Sequence, residues 1–219
     1  MTIIRLSEVS KTFKGQKLYD GVSMGIEEGS ITAIVGPNGS GKSVLFKLIC
    51  GFVQPDVGEV EIDPKFMSKG RDFPEHFGIV IDRPGYLAGS SGIKNLMELA
   101  EIRGVVKEPE VRKAMQLFGL DPDNKKPVRK YSLGMKQKLS LAQAIMEDPK
   151  VLVLDEPFNA LDADSVLMVR KLLKDLNNSG VTIIFTSHNQ ADIDELATRV
   201  FQISSQKIRE VPISKPKKR

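Results

Sequence analysis

Gly36-Pro37-Asn38-Gly39-Ser40-Gly41-Lys42-Ser43 is the stretch that decides the fold. It satisfies G-x-x-x-x-G-K-S/T, a complete phosphate-binding loop. The apolar run Ile31–Val35 before it reads as a buried strand. Ser43–Cys50 after it carries apolar residues at 44, 45, 48 and 49, one face of a helix. Strand, glycine loop and helix are the context this motif needs. Glycines let the backbone curl until successive N–H groups point at phosphate oxygens, and the helix N-terminus places partial positive charge behind them. The whole loop, Gly36 to Ser43, is therefore expected to hold a nucleotide. Lys42 would reach its β- and γ-phosphates, and the Ser43 hydroxyl would ligate Mg2+.

A phosphate loop calls for an acidic partner to hold the metal. Val151-Leu-Val-Leu-Asp155 supplies one: four apolar strand residues, then a carboxylate at the strand's C-terminal end. Ligands of open α/β sheets gather at that edge. Glu156 follows at once. Side chains of neighbouring residues diverge there, so Asp155 can face the metal while Glu156 faces the γ-phosphate as general base for water. His188 follows a further buried run, Val181–Thr186, at the same edge. There it would hydrogen-bond the γ-phosphate and orient the attacking water.

The chain has 219 residues, 41% of them hydrophobic, and no apolar run long enough to span a membrane. Its N-terminal stretch has no continuous apolar segment, so no signal peptide is expected. A single cysteine, Cys50, excludes an internal disulfide, suits a reducing compartment and falls on the apolar face of its helix. The net charge of +4 is concentrated in Lys215–Arg219, which reads as a solvated tail. Aromatics do not interleave with basic residues, so nucleic acid is not an expected partner.

The first part of the chain reads as β-rich: Ile3–Val9, then Gly21–Ile26 after a turn at Asp20-Gly21, then Glu59–Ile62 and Phe77–Ile81. Beyond Pro84 the texture is helical, with Ile93–Arg103, Pro109–Phe118 and Ser132–Met146. Strands and helices then alternate: Val151–Leu154, Ala163–Leu176, Val181–Thr186, Asp192–Thr198 and a terminal hairpin of Val200–Ile203 with Lys207–Val211. The expected architecture is α/β, a mostly parallel sheet core with an antiparallel β region and an inserted helical subdomain. As one domain, residues 1–84 and 148–219 would form the core and 85–147 the insert.

Together these residues resemble the ATP-binding cassette (ABC) ATPases, which are P-loop NTPases, over almost the whole chain. Tyr131-Ser-Leu-Gly-Met-Lys-Gln137 looks like the family signature, usually Leu-Ser-Gly-Gly-Gln. Asn159-Ala-Leu-Asp162 looks like the D-loop, His188 stands at the switch-histidine position, and Phe13 resembles the aromatic that stacks on adenine. Taken alone, Tyr131–Gln137 reads equally well as an ordinary capped helix. Ser132 is a good N-cap, and its hydroxyl, the Gly134 N–H and the helix end make a second anion site. In the family that site, with Met135 and Asp162 beside it, grips the ATP of a second subunit. The resemblance thus implies a head-to-tail dimer around two ATP and Mg2+, and membrane-spanning subunits docked near residues 82–103. It also implies a position in the cytoplasm, peripheral at the inner face of the membrane.

Four residues depart from the family pattern, in three places. Leu133 and Met135 replace Gly and Gln of the signature, a variant resembling cassettes of ABC-2-type exporters of antibiotics and antimicrobial peptides. Asp82, in Ile79-Val-Ile-Asp82, stands where the family has a glutamine that touches Mg2+; it offers an oxygen ligand and also suits a turn. Lys138 replaces Arg and loses bidentate geometry. The expectation is an ATP-hydrolysing transporter subunit, with export as the direction. A soluble ABC ATPase of translation or DNA maintenance, and a regulatory nucleotide-binding module, stand as alternatives.

Overall fold

The computed structural model describes residues 1–67, 73–82 and 85–213. Residues 83 and 84 of the expected docking stretch 82–103, and the basic run Lys215–Arg219, lie outside the described residues. The chain begins with β1 (Thr2–Phe13), β2 (Gln16–Glu27) and β3 (Ile31–Val35), and the glycine loop leads into α1 (Lys42–Ile49). β4 (Val57–Ile62) and β5 (Phe77–Val80) follow. Three helices, α2 (Gly92–Arg103), α3 (Glu108–Leu117) and α4 (Leu133–Ile145), come next. The alternating part is β6 (Val151–Leu154), α5 (Ala163–Asn178), β7 (Thr182–Thr186), α6 (Gln190–Leu196), β8 (Arg199–Ser204) and β9 (Lys207–Val211).

The strands form two sheets. One is antiparallel, in the order β2-β1-β4; the other has the order β5-β6-β7-β3-β8-β9, parallel except for its last pair. Neighbouring residues of a strand point to opposite faces, and both faces of the parallel sheet are covered. In β6, Val151 and Val153 join the core shared with the antiparallel sheet and α1. Leu152 and Leu154 join the core under the helices. β7 divides likewise, with Ile184 on the first face and Ile183 and Phe185 on the second. That explains why these strands read as unbroken apolar runs rather than alternating ones. Phe46 and Phe185 are fully buried, one in each core; truncating either to Ala would cost about 3–5 kcal/mol.

Helix ends follow local chemistry. Ser91 Oγ accepts from Lys94 N at the start of α2, and Gly104, at φ 67°, ends it. The expected turn at Asp20-Gly21 is corrected. β2 runs through both residues, and the hairpin turns instead at Lys14-Gly15, with φ 50° and 80°. Asp20-Gly21 marks a register shift between β1 and β2, and Gly21 has φ 56° there. α6 also begins earlier than its apolar pattern suggests, because Asn189 Oδ1 accepts from Ala191 N and caps it at Gln190.

The C-terminal ends of β3, β6 and β7 lie side by side, since β7 pairs with both β3 and β6 in parallel. The glycine loop, Asp155-Glu156 and His188 leave the sheet at that one edge.

Candidate nucleotide site

The loop from β3 into α1 is held from outside by Tyr19. Its hydroxyl donates to the Gly41 carbonyl at 2.6 Å, and burial pushes its phenol pKa up, so it stays a donor. Gly41, the N-cap of α1, has φ 102°, and a Cβ there would stand 2.6 Å from the Tyr19 oxygen. Only glycine suits both constraints.

Three features of the loop fit a phosphate. Lys42 is 8% exposed; its Nζ donates to the Gly36 and Pro37 carbonyls at 2.9 and 3.2 Å and pairs with no carboxylate among the described residues. A buried ammonium with no carboxylate in ion-pair contact favours an anion beside it. The amides of Gly39, Gly41, Lys42 and Ser43 donate to no acceptor among the described residues, and Ser40 Oγ is buried without a partner.

Ser43 Oγ donates to Asp155 Oδ2 at 2.5 Å, which joins α1 to the end of β6. A hydroxyl and a carboxylate oxygen beside a phosphate loop are the donor set of a Mg2+ that draws its other ligands from phosphate and water. No cluster of three or more His, Cys, Asp or Glu side chains among the described residues could hold a metal unaided. The residues therefore fit a cation that arrives with a nucleotide.

Glu156 adopts φ 52°, a left-handed conformation uncommon for a residue with a side chain. Its Oε1 is buried, and His188 Nε2 lies 2.9 Å away without the alignment of a hydrogen bond. That contact is an ion pair when the imidazole is protonated. Burial raises the Glu156 pKa above its ordinary value and Asp155 adds to the rise, while His188 and Lys42 oppose it. A poised, partly desolvated carboxylate suits a general base.

Phe13, Asn38, Gly39, Gly41, Lys42, Ser43, Asp155, Glu156 and His188 line one cavity of about 460 Å³. Gly36 and Pro37 line an adjoining groove that also reaches His188. Ser132, Gly134, Met135 and Asp162 line a different concavity, of about 470 Å³, that shares no lining residue with the first. There Ser132 Oγ accepts from Met135 N at 3.1 Å and caps α4. Asp162 Oδ1 accepts from Ser165 N at 2.8 Å and caps α5. A Cβ on Gly134 would stand 2.8 Å from the Ala160 carbonyl, so close packing also asks for glycine at this position. Asp82, at φ 58°, is ion-paired with Lys47 Nζ at 2.6 Å and opens on a cleft of about 540 Å³. Tyr86 and Gln137 line that cleft, and it meets the phosphate-loop cavity at Asp155 and Glu156. The chain thus divides the expected site residues between two cavities, and the cleft at Asp82 shares lining residues with both.

Sequence reasoning missed three supports. Thr186 Oγ1 accepts from Glu156 N and donates to Asp155 Oδ1, both at 2.8 Å. Gln137 Nε2 donates to the Glu156 and Pro157 carbonyls at 3.4 and 3.1 Å. Ser187 Oγ donates to Asp192 Oδ2 at 2.5 Å, and Asp192 also accepts from Arg170, which ties the His188 segment to α5. The available signal was a hydroxyl at the end of an otherwise apolar run, and nothing in the sequence named its partners.

The profile of the ABC transporter family matches residues 19–159. The chain is 32% identical to the bacitracin transport ATP-binding protein of Bacillus licheniformis over 221 residues, covering 100% of this chain and 72% of that protein. It is 30% identical to the lantibiotic transport ATP-binding protein of Streptococcus pyogenes over 195 residues, covering 89% of this chain and 84% of that one. The fold matches a dimeric ATP-binding cassette in a post-hydrolysis state bound to ADP and Pi, with a TM-score of 0.85, 96% of this chain and 99% of that chain covered, and 23% identity. At that identity the likeness is one of fold, a P-loop NTPase of the cassette type. The chain therefore belongs to the ABC transporter family, and it is an ATP-binding, ATP-hydrolysing subunit.

Proposed function

We propose that two copies of this chain close head to tail around two ATP molecules and drive export through separate membrane-spanning subunits. The carrying observation is the division of the site. One chain presents two anion-binding helix ends, at α1 and α4, and they open on cavities with no residue in common. A second subunit can bring its Ser132–Met135 face to the first subunit's phosphate loop, which gives each helix end a role at a nucleotide.

In this reading Gly36–Ser43 cradles the phosphates and Phe13 stacks on the base. Ser43 and Asp155 would hold Mg2+, with Asp82 available at the adjoining cleft; the ion supplies charge neutralisation at the phosphate oxygens. Glu156 accepts the proton of the attacking water. Lys42 and His188 stabilise charge developing on the transferred group. Ser132, Gly134, Met135 and Asp162 face the nucleotide held by the other subunit. Residues 1–219 act as one domain, with 85–147 as a helical subdomain on the core of 1–84 and 148–219.

Among the described residues no helix is long and apolar enough to cross a membrane, so membrane passage is assigned to partner subunits docking near residues 82–103. The chain would then lie peripherally at the cytoplasmic face. Export of an antibiotic or antimicrobial peptide is supported by the signature variant and by relatives named for bacitracin and lantibiotic transport. Purification of the tagged chain from membranes tests this reading. A multi-span protein should copurify with it; recovery with ribosomes or DNA and no membrane protein would overturn it.

A further inference from the structure

We propose that Thr186 is a positioning residue that sets both carboxylates of the site through a single buried hydroxyl. The inference rests on the assignment of Asp155 to the metal and Glu156 to the water. Thr186 is the last residue of β7 and is fully buried. A hydroxyl has one proton to donate and two lone pairs to accept with. At Thr186 the proton goes to Asp155 Oδ1 and one lone pair takes the Glu156 N–H, each at 2.8 Å.

Each bond has a distinct consequence. Asp155 Oδ2 already accepts from Ser43 Oγ. With Oδ1 held by Thr186, the carboxylate plane is fixed at both oxygens and stays turned toward the phosphate loop. Glu156 holds φ 52°, and a left-handed residue of this type persists only where its surroundings enforce it. The N–H bond to Thr186 supplies that enforcement on one side of the residue. On the other side Gln137 Nε2 reaches the Glu156 carbonyl at 3.4 Å. Without the hydroxyl, the Glu156 N–H would lose this partner and the backbone would relax toward an ordinary conformation, carrying the carboxylate off the water position. An apolar β-branched residue would serve the strand equally well, so packing alone gives no reason for threonine here.

The test compares Thr186→Val, which keeps the shape, with Thr186→Ser, which keeps the hydroxyl. Glu156→Gln serves as a control for the underlying assignment. Thr186→Val should bind a fluorescent ATP analogue in EDTA as wild type does. It should also lose most of the extra thermal shift that Mg2+ adds to ATP, and its kcat should fall about 10- to 100-fold with little change in KM. Thr186→Ser should restore both readouts. If Glu156→Gln is inactive while Thr186→Val keeps the wild-type kcat and Mg2+-dependent shift, the positioning role is wrong. If Glu156→Gln turns over normally, the general-base assignment fails and this inference fails with it. Should Thr186→Val not fold, Thr186→Ala is measured by the same two readouts, with Thr186→Ser as its rescue.

Discussion

His188 Nε2 stands 2.9 Å from Glu156 Oε1, so the two side chains expected at the γ-phosphate face each other across the end of the sheet. Their contact links the charge of one to the protonation of the other. Burial raises the Glu156 pKa, and a protonated His188 opposes the rise. The base form is lost as pH falls through that raised value, so the acid limb of hydrolysis should lie above the ordinary carboxylate value of 4.5. His188→Ala should move the limb to higher pH and lower the rate on the plateau. The kcat-against-pH profile checks this; an unmoved limb would deny the coupling. The stability effect has its own sign. The folded state holds this proton more tightly than the unfolded chain, so the contribution is present below the unfolded pKa and lost as pH rises through the folded one.

Ser43 and Asp155 share a hydrogen bond at 2.5 Å, and both line the phosphate-loop cavity. Chelation with EDTA should abolish hydrolysis and leave nucleotide binding measurable. Asp155→Asn should raise the Mg2+ concentration for half-maximal hydrolysis by at least about tenfold. A magnesium titration of both proteins decides the matter.

Arg170 and Asp192 form an ion pair in which Asp192 is almost fully buried, and Ser187 completes the set. Asp192→Ala would leave the guanidinium uncompensated and should destabilise the fold by about 3 kcal/mol. Urea unfolding measures the loss directly. Hydrolysis should fall as well, because the segment carrying His188 is anchored there.

Asp82 is paired with Lys47 on α1 at the mouth of the cleft that reaches Asp155 and Glu156. Asp82→Ala should weaken Mg2+-dependent hydrolysis or its coupling to transport. Unchanged values of both would reduce Asp82 to a turn residue with a surface ion pair.

Much of this was legible in the sequence because two patterns are local. Gly36–Ser43 states its own chemistry, and Val151–Leu154 announces a strand covered on both faces before Asp155-Glu156. The Asp20-Gly21 pair misled because the same residues that make turns also make strand irregularities, and pairing with β1 decided between them. Thr186, Gln137 and Arg170–Asp192 were not legible at all. Their roles depend on contacts between segments 19 to 31 residues apart, and spacing alone does not select the partners. The distribution of Lys42 and Ser132 onto separate cavities is likewise a property of the folded chain.

The central claim is that the phosphate loop is half of a site completed by another subunit's α4. Glu156→Gln should bind ATP but hydrolyse it at least about 100-fold more slowly, so its closed form should accumulate. The most direct measurement is the mass in solution of Glu156→Gln, with and without ATP, alone and combined with Ser132→Arg. The account predicts the monomer of 24.2 kDa without nucleotide and a dimer with ATP. It further predicts that the double variant binds ATP as a monomer. A monomer of Glu156→Gln at saturating ATP, or an ATP-dependent dimer that survives Ser132→Arg, would contradict it.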